Sequence, residues 1–130
     1  MPEKKNMTTT AKARIKIAEA RGTGGAIAKI THIAVGEGGL NNDRTQKTFD
    51  RNQDTLYKEI KRFGAVQLER KDNKNSYKII VEQSDSSIDG KEISEIGLID
   101  ADGDLVAAQT FLPKIKDANT EFVFTLTEEI

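Results

Sequence analysis

The chain has 130 residues, 32% of them charged, with a net charge of -1. That length fits one domain, and the charge balance argues against a general nucleic-acid binder, which carries a basic surplus. Cysteine is absent, so disulfides and thiol catalysis are excluded and the redox compartment stays open.

Aromatic residues are scarce and tryptophan is missing, so Ile, Leu, Val and Ala must build the core. This modest apolar supply leaves room for oligomerisation or a mobile terminus. No apolar run approaches the ~20 residues that a membrane-spanning helix needs. Met1 to Thr10 is polar, without the apolar core of a secretion signal. A soluble cytoplasmic product is the expectation.

Residues 1–7 are charged, contain Pro2 and show no periodicity, which predicts a flexible lead-in to a single domain over 8–130. Thr8, Thr9 and Thr10 are candidate N-caps. They precede a short amphipathic helix, Ala11 to Arg21, with Ile15 and Ala18 on one face and Gly22 as its stop. Lys29 to Val35 reads as a strand through its β-branched Ile30, Ile33 and Val35. Gly36-Glu37-Gly38-Gly39 ends it. Residues 40–53 are polar and predict a long loop or surface excursion. Thr55 to Phe63 fits a short helix, with Leu56 and Ile60 four apart, and equally an irregular strand running into Ala65–Arg70.

Val66 and Leu68 alternate with Gln67 and Glu69, and Tyr77, Ile79 and Val81 share a face beyond a polar turn. Together these predict a hairpin. A second hairpin, Ile93–Ile99 with Leu105–Leu112, closes around Asp102-Gly103. A two-residue type I′ turn is expected there, because Asp-Gly accepts positive φ at both central positions. Pro113 predicts an edge or a bulge. Glu121 to Thr127 alternates, with Phe122, Phe124 and Leu126 opposite Val123, Thr125 and Thr127. Short connections favour antiparallel pairing. The fold class is therefore α+β, a mainly antiparallel β-sheet of about five to six strands with one or two short helices.

Asp100-Ala101-Asp102-Gly103-Asp104 invites comparison with a calcium loop. An EF-hand needs Gly at the sixth position and Glu at the twelfth; here Gly103 is fourth and Phe111 twelfth. The spacing suits a hairpin turn better. Neither Gly22-Thr23-Gly24-Gly25 nor Gly36-Glu37-Gly38-Gly39 has the Lys-Ser/Thr continuation or strand-to-helix setting of a phosphate loop. His32 is the single histidine. It cannot build a His-rich zinc site alone, and no Ser and Asp stand out to complete a triad. No catalytic residue, metal or cofactor is expected. Two alternatives stay open at this point. One is a nucleic-acid or carbohydrate surface on the basic 58–74 stretch (Lys58, Lys61, Arg62, Arg70, Lys71, Lys74). The other is a small enzyme using His32.

Three segments resemble the N-terminal domain of phage tail-collar fibre proteins. The first is the Thr8–Ala20 helix leading into Lys29-Ile30-Thr31-His32-Ile33-Ala34-Val35-Gly36-Glu37-Gly38-Gly39. The second is Leu56, Glu59 and Arg62, similar to a Leu-x-x-Glu-x-x-Arg element. The third is Glu95-Ile96-Gly97-Leu98 with Asp100, Asp102-Gly103, Leu105-Val106-Ala107 and Pro113. Their order and spacing agree over residues 8–127. The resemblance implies a non-enzymatic virion structural protein, a tail-fibre or tail-tip domain that docks on the baseplate. It implies other tail or baseplate proteins as partners, and neither nucleic acid nor membrane. It also implies the virion tail as location, after assembly in the bacterial cytoplasm. Fibres of the family are usually trimeric, so a homotrimer is one option. Thr31, His32, Gly36, Arg62, Glu95, Gly97, Asp102 and Gly103 become framework positions, and Arg62 is expected to pair with Glu95. Family members are usually far longer, which makes attachment a safer expectation than receptor recognition.

Overall fold

The computed structural model describes residues 7–130. Eight strands and one helix follow in the order β1 (Thr8–Thr9), α1 (Ala11–Thr23), β2 (Ile30–Gly36), β3 (Glu59–Phe63), β4 (Gln67–Lys71), β5 (Lys74–Val81), β6 (Glu92–Asp100), β7 (Leu105–Ile115) and β8 (Phe122–Glu129). The strands pair antiparallel in two sheets, ordered β1-β7-β6-β2-β3 and β4-β5-β8. The antiparallel, mainly β architecture expected from the sequence holds, with its strands divided over two sheets.

Alternation along the strands explains the layering. Ile33 and Val35 of β2 and Ile96 and Leu98 of β6 share one cluster with Tyr77, Ile79 and Val81 of β5 and Phe124 and Leu126 of β8. This is the seam between the sheets, and it uses the inward faces that the sequence assigned to β5 and β8. Val123, on the opposite face of β8, is half exposed. The other face of the large sheet carries Ala34, Ile99, Leu105 and Ala108, covered by Phe49 and Leu56. Strand β6 is therefore enclosed on both faces and both edges, and every residue from Ile93 to Asp100 is buried.

Several local expectations change. Thr10 is the N-cap, its hydroxyl accepting from the Ala13 amide, while Thr8 and Thr9 pair with Ala108 and Ala107. Helix α1 runs through Gly22 and ends on Gly24 at φ 73°, where a glycine accepts the left-handed geometry without strain. The helix is not amphipathic as read: Ala13 is its buried residue, and Ile15 is 59% exposed. The 40–53 stretch is more than a surface excursion, because Phe49 plugs the outer face of the large sheet. Thr55–Phe63 takes its strand alternative, with Glu59–Phe63 pairing along β2. Pro113 sits where the β6–β7 register shifts between Ile93↔Lys114 and Glu95↔Thr110, the bulge its missing N–H favours. Met7, from the expected lead-in, packs against the core; the rest of that segment, residues 1–6, lies outside the described residues.

Candidate functional site

Glu95 lies on the central strand and is fully buried. Its Oε2 accepts from the Gly38 amide at 2.8 Å and the Lys58 amide at 2.7 Å, and its Oε1 from the Tyr57 amide at 2.8 Å. A buried carboxylate is costly unless its oxygens are satisfied, and three charge-assisted backbone bonds do that here. The glycines make the approach possible. A Cβ at Gly36 would fall 2.5 Å from Glu95 Oε2, and one at Gly38 2.8 Å from the same atom. A Cβ at Gly39 would overlap the Ser94 carbonyl, while the Gly39 amide donates to Ser94 Oγ at 2.8 Å. Glu95 thus ties the end of β2 and the start of β3 to the middle of the sheet.

The expected Arg62–Glu95 pair does not form. Register places Glu95 opposite Gly36, and Gly36 opposite Glu59, leaving Arg62 three residues along an edge strand. Arg62 pairs with Glu59 instead, at 2.7 Å on the surface. Gly97 meets the Leu-x-x-Glu-x-x-Arg element another way: an added Cβ would lie 3.2 Å from Leu56 Cδ2 and clash with Leu105.

A second polar cluster forms at the β6–β7 turn. Buried Asp100 accepts through Oδ1 from the amides of Asp102 and Asp104, each at 3.0 Å. Gly103 donates its amide to the Asp100 carbonyl, and the Asp100 amide donates to the Asp104 carbonyl. Positive φ occurs at Gly103 (86°) and not at Asp102. This is a three-residue loop with a glycine bulge rather than the expected two-residue turn; bonding of the Asp100 carboxylate to the turn amides selects the longer loop. Carboxylate oxygens of Asp100, Asp102 and Asp104 lie within 4.8 Å of one another, a set that could hold a cation. The ammonium of Lys16 sits among them, 2.6, 3.1 and 2.5 Å from the three in turn, and Lys12 adds a contact to Asp104 at 2.9 Å. Burial works against the Lys16 charge, but hydrogen bonds to Asp100, Asp104 and Asp102 outweigh it and raise its pKa. The hydrogen bonds from Lys16 and then Lys12 hold Asp104 below the usual carboxylate range. The aspartates that resemble a calcium loop are thus a latch for α1.

Thr31 and His32 are adjacent on β2. Thr31 Oγ1 is 2.8 Å from His32 Nδ1 and also donates to the Asp100 carbonyl at 3.3 Å. The imidazole is exposed and, among the described residues, has no carboxylate partner. The basic 58–74 stretch is largely paired: Lys58 with Glu37, Lys61 with Asp85, Arg62 with Glu59 and Lys74 with Glu129. Of the expected framework positions, Gly36 and Glu95 meet directly, Thr31 reaches the Asp100 turn that carries Asp102 and Gly103, and Arg62 and His32 stay outside both clusters.

The sequence offered little signal for Lys16, or for Lys116, which is fully buried beyond β7. Lys116 Nζ donates to Asp89 at 2.7 Å and to the carbonyls of Gln83 and Asp117. An apolar cleft of about 420 Å³ opens between α1, residues 27–30 and the β4–β5 hairpin. On its floor Tyr77 donates to Glu128 at 3.2 Å, and burial followed by the Glu128 charge pushes the phenol up to about 12.

Comparison with known protein families gives a match over most of the chain. Residues 1–124 fit the family described as phage tail-collar fibre protein, N-terminal. No curated protein and no solved structure matches.

Proposed function

The chain belongs to the phage tail-collar fibre family, through its N-terminal domain, and on that premise we propose that it docks on baseplate or neighbouring tail proteins and holds a fibre there. Membership makes it a structural component of the phage tail. The finer reading is a rigid, non-catalytic adaptor over residues 8–130, functioning as a homotrimer and assembled in the host cytoplasm. Thr31, His32, Gly36, Arg62, Glu95, Gly97, Asp102 and Gly103 act in it as framework positions.

One observation carries this reading. The chemically capable groups are engaged in holding the fold: the Glu95 carboxylate binds three backbone amides, and the three aspartates surround a lysine of the same chain. A catalytic carboxylate needs an acceptor atom free for the substrate, whereas these carboxylates are bonded to backbone amides and lysines of the fold.

The test is cross-linking mass spectrometry on purified phage particles carrying the chain, with light scattering of the isolated protein at two concentrations. Cross-links to baseplate proteins and a concentration-independent trimer are expected. Absence of the chain from particles would refute the tail assignment, and a monomer would remove the trimer.

A further inference from the structure

The cleft between α1 and the β4–β5 hairpin has features that the fold itself does not use. Ile27 is 58% exposed, Leu68 56% and Ile130 80%, and all three line it. They come from three separate segments, so their convergence is a property of the tertiary structure. Half-buried Ile17 and Val66 continue the same surface. Contiguous exposed apolar surface with a polar rim marks protein interaction sites.

The rim charges indicate what kind of segment fits. Ile17 of α1 is flanked on its own helix face by Arg14 at i−3 and Arg21 at i+4, and Lys29 lines the cleft directly. None of these three cations has an ion-pair partner among the described residues. The acidic groups at the cleft are all engaged: Asp100 by Lys16 and two turn amides, and Glu128 by Tyr77 and Asn75. Glu19, the one acid of α1, is two residues from Ile17 and does not share its face.

We propose that this cleft is the docking site for an apolar segment of another tail protein, with acidic residues that meet Arg14, Arg21 and Lys29. The inference rests on the tail-adaptor reading above and names the surface and partner chemistry for it. A basic or purely apolar occupant would cover Lys29 in the cleft without a partner and would leave Arg14 and Arg21, on the exposed helix face beside it, without complementary charge, which is unfavourable at an interface. In a cyclic trimer a second copy would meet this cleft with a different patch of its surface, so capture of a second copy is a separate outcome of the test.

The test replaces Leu68, and separately Ile27, with a benzophenone-bearing amino acid in phage particles carrying the chain, with Val123 as a control site outside the cleft. After irradiation, the attached peptide is sequenced by mass spectrometry. Both cleft positions are expected to capture one segment of a different tail protein, apolar with net negative charge. In the triple variant Arg14→Glu, Arg21→Glu, Lys29→Glu, capture should fall by about tenfold or more while Lys29→Arg leaves it intact. Circular dichroism matching the parent shows that the variant is folded. Capture of a second copy, a neutral or basic segment, or nothing at both cleft positions overturns the inference while leaving the tail assignment standing. A chain missing from the particles overturns both.

Discussion

Replacing Glu95 with alanine removes the acceptor for three buried or part-buried backbone amides at once, those of Gly38, Tyr57 and Lys58. Each orphaned donor costs roughly 1–3 kcal/mol when no water replaces the acceptor. The three together, reduced by relaxation of the 36–39 and 56–58 segments, give a loss of about 3–5 kcal/mol. A domain with ~5–15 kcal/mol of total stability would be close to unfolding after such a change. Glu95→Gln keeps one acceptor oxygen, which can serve the Gly38 and Lys58 amides, but turns an NH₂ toward the Tyr57 N–H; its loss should be nearer 1–3 kcal/mol, roughly that of one unsatisfied donor. Urea unfolding followed by circular dichroism measures both. An Arg62→Ala, Glu95→Ala double-mutant cycle should show no coupling, because Arg62 pairs with Glu59. A Glu95→Ala variant within about 1 kcal/mol of the parent would refute the account of this carboxylate as the fastener of the sheet.

Lys116→Ala empties a fully buried lysine site and leaves the part-exposed Asp89 without its cation, with an expected loss of about 2–4 kcal/mol; denaturant titration checks it, and Lys116→Met combined with Asp89→Leu should recover much of that loss. Gly39→Ala forces a methyl into the Ser94 carbonyl and should destabilise far more than Gly22→Ala, whose Cβ meets open space; thermal melts of the pair decide. The Asp104 pKa is lowered on folding, so its stabilisation is present above the ordinary carboxylate pKa and lost as pH falls through the folded value. That of Lys16, whose pKa is raised, is present below the ordinary lysine pKa and lost as pH rises through the folded one. Lys16→Met should therefore flatten the acid limb of the stability profile. Ultraviolet titration should show one tyrosine ionising at about 12, and Tyr77→Phe should abolish that step.

Strand positions were legible wherever period two was strong. Tyr77, Ile79 and Val81, and Phe122, Phe124 and Leu126, declared their inward faces because each strand has only one buried side. Strand β6 gave no such alternation, since sheet and loop enclose both its faces. Helix α1 misled for the opposite reason. Its docking depends on Lys12 and Lys16 reaching the Asp100 turn, not on an apolar stripe, and a lysine in sequence carries no mark of its partner 84 residues away. The Glu95 site was half visible: Gly36-Glu37-Gly38-Gly39 was legible as the end of a strand, but the group that approaches its backbone depended on strand register. Arg62 shows that dependence directly, because co-occurrence in shared motifs suggested a contact that register forbids.

The pairing of Thr8 with Ala108 and Thr9 with Ala107 also sets an order on synthesis. The first strand of the chain has no partner until residues near 108 leave the ribosome, a lag of roughly 5–20 s at usual elongation rates. Until then the edge of β7 is unformed, the helix has no aspartates to latch onto, and one edge of β2 waits for β6. The large sheet therefore closes as a late event. The nascent chain's exposed strands need protection over that interval, and adding a fused domain at the C-terminal end would not shorten it.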